Sequence, residues 1–176
     1  MEGGAGRGGV TRLPEAEPAS CCSSAFVLRL DGRPLGKFEG RWLSEGIDLA
    51  LLGRRWLRFE KVGWIGSRFQ LVAEGDEGPV AEAERGGLFR RTWDLVLSVG
   101  RAALAREGWF ATGYVVRRGE REVARMDRRG LCARGWFVEG GGLRQEDLML
   151  IGLIHHTIRR REASHSAGAG GHAAGS

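Results

Sequence analysis

His155 and His156 are the side chains best suited to proton transfer or metal binding in this chain, and they sit side by side in "EDLMLIGLIHHTIRRR". Neighbours on a helix diverge by roughly 100°, so the pair cannot share one metal ion. They read as packed or hydrogen-bonded residues near a helix end. His165 and His172 lie in the Ser-, Ala- and Gly-rich tail, without the i, i+4 spacing of a zinc helix. Cys132 has no CxxC partner and reads as a buried strand thiol, while Cys21 and Cys22 are adjacent. No Gly-x-Ser-x-Gly elbow, phosphate-binding loop or His-Glu-x-x-His motif occurs. Catalytic residues, metal ligands and cofactors are therefore expected to be absent.

The arginines offer more. "RRGEREVARMDRR" carries Arg117, Arg118, Arg121, Arg125, Arg128 and Arg129 within one short stretch. Guanidinium groups bind phosphate and carboxylate through paired hydrogen bonds, so these six are the candidates for an anion or lipid headgroup. The competing reading is a solvated strand face, with the arginines paired across strands to Glu120, Glu122 and Asp127. Trp109 and Phe110 lie nearby and suit either a membrane interface or the core. The net charge of +5 adds little, because only Lys37 and Lys61 are lysines and an arginine excess also follows from GC-rich coding.

Short alternating segments must position these groups. "AFVLRLDG", "WLRFEKV", "RFQLVAEG", "TWDLVLSVG" and "ATGYVVRRG" end in glycine or charged turns, as antiparallel strands do. Phe26, Leu28 and Leu30, and again Trp93, Leu95 and Leu97, put one face inward. The body also repeats. Gly63, Trp64, Ser67, Phe69 and Leu71 recur as Gly108, Trp109, Thr112, Tyr114 and Val116, at a spacing of 45. Val80, Ala81, Glu84, Leu88 and Trp93 then recur as Val123, Ala124, Asp127, Leu131 and Trp136, at a spacing of 43. A fainter copy starts at "PLGKFEG". Two and a half units are too few for a propeller, which needs about four blades. The fold expected is mainly β: an antiparallel barrel of about twelve strands, built from duplicated units.

Leu148, Met149, Leu150, Ile151, Leu153, Ile154 and Ile158 surround a helical wheel on every side. Such a helix is buried on every side, and its apolar run falls short of the roughly 20 residues a bilayer needs. It is expected to fill the barrel over residues 145–161, with acid at its start and Arg159 to Arg161 as base at its end. Residues 1–24 contain no secretory signal and read as a disordered leader, 25–161 as one domain, and 162–176 as a disordered tail. Three cysteines in this arrangement suit a reducing, cytoplasmic compartment.

A duplicated barrel threaded by its last helix resembles the tubby C-terminal-like superfamily, which includes tubby-like proteins, phospholipid scramblases and LURP-one-related proteins. The units Gly63–Trp93 and Gly108–Trp136, the turn "RRGLCARGWFVEGG" and the helix "EDLMLIGLIHHTIRRR" carry the resemblance over nearly the whole ordered chain. It implies the fold and no functional residue. The phosphoinositide-binding Lys/Arg pattern of the tubby proteins has no counterpart here, nor does a palmitoylated cysteine cluster. The function expected is a non-enzymatic binding or scaffold module, peripheral to anionic phospholipid or docked on a protein. The alternative is a ligand-binding or hydrolytic barrel with its site at one mouth, near the helix. Single-stranded nucleic acid is disfavoured for want of an aromatic stripe.

Overall fold

The computed structural model describes residues 14–20, 23–39, 47–51, 56–63, 68–85, 92–108, 113–129 and 135–169. The elements are β1 (Pro14–Pro18), β2 (Ala25–Leu30), β3 (Arg33–Glu39), β4 (Ile47–Leu51), β5 (Leu57–Val62), β6 (Arg68–Ala73), β7 (Pro79–Arg85), β8 (Trp93–Leu97), β9 (Gly100–Arg106), β10 (Tyr114–Arg118), β11 (Arg121–Arg129), β12 (Gly135–Gly140) and α1 (Gln145–Ala169). The chain is mainly β, one antiparallel sheet with a single C-terminal helix among the described residues.

From β2 onward each strand bonds to the next in sequence, while β1 bonds to β2 on one side and to β12 on the other. Alternation decides which side chains face the helix. On β8, Trp93, Leu95 and Leu97 are buried and Asp94 and Val96 are exposed, as period-two geometry requires. The aromatic side chains stack across strands: Phe26 on Phe38 at 5.3 Å and Phe59 on Phe69 at 5.2 Å between ring centroids. The β2–β3 turn is Asp31-Gly32, with φ of 52° and 75°, the backbone that a tight two-residue hairpin demands.

The sequence repeat has a mark in the hydrogen-bond ladder. The register shifts after Leu28 on β2, Leu71 on β6 and Val116 on β10, where the facing strands β3, β7 and β11 each carry one extra residue, Leu35, Val80 and Val123. Beside the extra residue, and paired with Leu28, Leu71 and Val116, stand Gly36, Ala81 and Ala124. Three equivalent hairpins thus bend at one equivalent place, and bulges are kept where a bend is needed. In strand order β5 follows the β2–β4 group and β9 follows the β6–β8 group. Strand β1 stands in the same place beyond β12. The N-terminal strand therefore completes the third unit.

That placement corrects the reading of a disordered leader at Pro14–Pro18; residues 1–13 and 21–22 lie outside the described residues. Pro14 and Pro18 stand at the two ends of β1, where the missing N–H groups matter least. Ala16 is fully buried and aligned with Leu28 and Trp136. The expected tail is corrected over residues 162–169, and 170–176 lie outside the described residues. Helix α1 does not stop at residue 161 but continues to Ala169, and its last turn holds no basic residue. Once nucleated on packed residues, a helix gains a hydrogen bond for each residue added, and Arg159 supports the extension through an i, i+3 ion pair to Glu162 at 3.2 Å.

Every residue of α1 from Asp147 to Thr157 is buried. The helix packs on β6 and β7 on one side and on β1, β11 and β12 on the other, so the sheet covers both of its faces. Burying each Leu, Ile or Met of this run contributes roughly 1.5–3 kcal/mol. Two features set its depth. Gly152 lies flat on the buried indole of Trp136, and a Cβ there would collide with the ring. Asp147, 1% exposed, accepts hydrogen bonds from the Ser98 N–H at 2.9 Å, the Arg144 N–H at 3.0 Å and the Ser98 hydroxyl. The Arg144 contact is half of a capping box, and the Ser98 contacts tie the helix start to the β8–β9 turn. Among the described residues no helix is long and apolar enough to cross a membrane.

Candidate functional site

Five of the six candidate arginines divide among three environments. Arg117, Arg118 and Arg121 are exposed around the β10–β11 turn, with Arg118 directly opposite Arg121 in the ladder. Gly119, at φ 61°, takes the first central position of this two-residue turn, which a side chain would strain. Like charges placed directly opposite repel, and no ion pair relieves these three among the described residues. Glu122, opposite Arg117, is engaged elsewhere.

Its partner is Arg125, which bridges Glu122 at 3.0 Å and Glu107 at 2.7 Å on the outer face of the sheet. The Glu122 hydrogen bond, followed by the charges of Glu107 and Glu122, raises the Arg125 pKa above its ordinary value. This arginine follows the solvated-face reading, paired along its own strand to Glu122 and across the sheet to Glu107. Arg128 follows neither. It shares the inward parity of Ala124 and Met126, stands opposite Trp136, and has a buried Nε without a hydrogen-bond partner. Arg129 ends β11, and its side chain lies outside the described residues, as do Trp64, Trp109, Phe110, Ser67, Thr112, Leu88, Leu131, His172 and all three cysteines. The side chain of His165 is likewise outside them.

The equivalent turn of the preceding repeat carries the opposite charge. Glu74, Asp76 and Glu77 are all exposed between β6 and β7. Glu74 donates its N–H to the carbonyl of Trp56 at 2.9 Å, which fixes the turn beside an indole that is 55% exposed. Trp56, Arg58, Glu60, Val72 and Glu74 line a cleft of about 490 Å³ there. Sequence reasoning passed over Trp56, because an aromatic residue at the head of an apolar strand looks like core.

A second polar group lies where α1 leaves the sheet. His155 is 2% exposed, and neither ring nitrogen has a hydrogen-bond partner. Its ring meets the edge of Tyr114 at 5.5 Å between centroids. Burial, then the charges of Arg159 and Arg128, lower its pKa to about 4, so it is neutral at neutral pH. Burial also pushes the Tyr114 phenol up. His156 is packed instead between the edges of Phe26 and Phe38, at 4.6 and 5.6 Å. Arg161 lies over the Phe69 ring at 5.5 Å. Of the helix-end arginines, Arg161 thus packs on the sheet while Arg159 pairs within the helix. The two histidines face different walls, as their angular divergence requires.

Among the described residues no three His, Cys, Asp or Glu side chains assemble as a metal site. No family model, curated protein or solved structure matches the chain.

Proposed function

We propose that the chain is a non-enzymatic binding or scaffold module that engages an anionic surface through its β10–β11 turn. In this reading the sheet is a closed barrel of twelve strands around α1, as the resemblance to the tubby C-terminal-like superfamily implies. The double pairing of β1, with β2 and with β12, supports that closure. The observation that carries the function is the grouping of Arg117, Arg118 and Arg121 on one rigid turn with no counter-ion among the described residues. Retaining a repulsive Arg118–Arg121 pair makes sense when an external anion relieves it, and phosphate headgroups suit guanidinium forks. Each arginine near an anionic membrane is worth about 1 kcal/mol at the surface potential of such membranes. The module would work peripherally, on the reducing side expected from its cysteines.

Co-sedimentation with neutral and anionic vesicles tests this. Retention on anionic vesicles alone, weakened by salt and lost when Arg117, Arg118 and Arg121 become glutamine, is the expected result. Equal retention by the triple variant would end the proposal.

The alternative, a ligand site at the end of the sheet where α1 emerges, draws support from the buried, unpartnered nitrogens of His155 beside Tyr114. It predicts that a bound ligand perturbs the His155 imidazole resonances, and that His155→Phe abolishes that binding without unfolding the chain.

A further inference from the structure

Antiparallel order puts the β6–β7, β8–β9 and β10–β11 turns at one end of the sheet. The first is acidic, through Glu74, Asp76 and Glu77, and the last is basic, through Arg117, Arg118 and Arg121. Between them in strand order lies β8, whose Val96 is 48% exposed on the outer face. Val96 and Trp56 are the two large apolar side chains exposed among the described residues. Trp56 adjoins the acidic turn. The exposed surface of β5 to β11 thus has an indole and carboxylates on one side, Val96 between Glu82 and Arg101 in the middle, and guanidinium groups on the other.

We infer that this surface binds a second copy of the same chain, the acidic turn of each copy meeting the arginine turn of the other across a twofold axis near β8. A twofold contact uses one patch on both partners and makes each complementary pairing twice. A head-to-tail contact would make the pairing once and leave an acidic and a basic turn unmatched at its ends. Along the axis Val96 meets Val96. An arginine arriving at the acidic turn finds carboxylates for its paired N–H groups and the exposed face of Trp56 for its π surface, and guanidinium uses both. Arg58 on the floor of the cleft is the one described cation among its lining residues. The contact is small and charge-dominated, so it is salt-sensitive.

This inference shares the arginine turn with the membrane reading, and the acidic turn separates the two. Sedimentation velocity on the full chain at low and high salt is the test. Glu74→Arg with Glu77→Arg makes both turns basic, and Arg117→Glu, Arg118→Glu and Arg121→Glu make both acidic. The native chain should be dimeric at low salt and monomeric at high salt. Each variant alone should be monomeric, and an equimolar mixture should restore the dimer, because every pairing is then opposite in sign. Restoration also shows that both variants are folded. Val96→Asp should dissociate the native dimer. A native chain that is monomeric at low salt, a dimer indifferent to salt, variants that dimerise alone, or a mixture that stays monomeric would each overturn the inference. The Glu74→Arg, Glu77→Arg variant should still bind anionic vesicles if the membrane reading holds. A native chain that dimerises at low salt yet is not retained on anionic vesicles would sink that reading alone.

Discussion

The β6–β7 and β10–β11 hairpins differ almost only on the outside. Both bulge at the same repeat position, both place an alanine beside the extra residue, and both are followed by a strand that begins or nearly begins with a buried tryptophan. Yet one turn presents Glu74, Asp76 and Glu77 and the other Arg117, Arg118 and Arg121. Inward positions are held by packing, which tolerates little change in volume, whereas an exposed turn costs almost nothing to recharge. The lesson is that chemistry here sits where the copies diverge, and architecture where they agree. Inside, the copies diverge at one facing pair, where Phe69 opposite Ala83 becomes Tyr114 opposite Met126. Phe69 stacks on Phe59 and tilts on Trp93, while Tyr114 meets the edge of His155.

Breaking the shared interior should have the largest effect. Trp93→Ala and Trp136→Ala should each cost about 3–5 kcal/mol in denaturant unfolding, as deletion of a buried aromatic side chain does. A much smaller loss at one of them would mean that the copies are not energetically equivalent.

The inward divergence should appear next, as acid sensitivity. His155 has its folded pKa lowered from 6.5 to about 4, so the unfolded chain binds more protons in between. Stability is complete above about pH 6.5 and falls as pH drops towards 4, by about 3 kcal/mol in all. His155→Phe should remove that component from the pH–stability curve and leave the curve above neutrality unchanged. An unaltered acid limb would show that the imidazole is not buried beside Tyr114.

Gly152→Ala sharpens the comparison between the tryptophans, because only Trp136 lies against that glycine. Overpacking there should cost about 1–3 kcal/mol, and pairing it with Trp136→Leu should recover part of the loss. Additive losses in that double variant would refute a direct contact.

The outer divergence should matter least to stability. Glutamine at Arg117, Arg118 and Arg121, or at Glu74, Asp76 and Glu77, should shift unfolding by no more than about 0.5 kcal/mol per residue. Only the arginine set should alter retention on anionic vesicles. If both sets change it equally, the turns are not functionally distinct.

Much of the architecture was legible before any coordinates. Alternation in "TWDLVLSVG" fixes which side chains of β8 face inward, because a strand has a period of two. The wheel of Leu148 to Ile154 implies a helix covered all round, because no apolar face can be left in water without cost. The recurrence of Phe69, Ala81 and Trp93 as Tyr114, Ala124 and Trp136 implies equivalent hairpins, and their bulges coincide. Local pattern suffices in these cases because each is a property of consecutive residues.

Other features depend on neighbours distant in sequence. "PEAEP" becomes β1 only because β2 and β12 offer it two ladders, and a five-residue segment between prolines has no strand signal of its own. The last turns of α1 extend past the point where apolar periodicity ends. Six arginines in one stretch look alike in sequence, but the pleat and the positions of Glu107 and Trp136 send the five described side chains to a turn, an outer ion pair and a buried face. His155 and His156 are adjacent and identical, yet one is left without a hydrogen-bond partner beside Tyr114 while the other lies among phenylalanines. Sequence by itself determined the periods, the repeat and the apolar helix, since these follow from local sterics and hydration. Tertiary structure alone decided which charges face water, which meet a partner and which are buried, because those depend on atoms brought together from strands far apart in the chain.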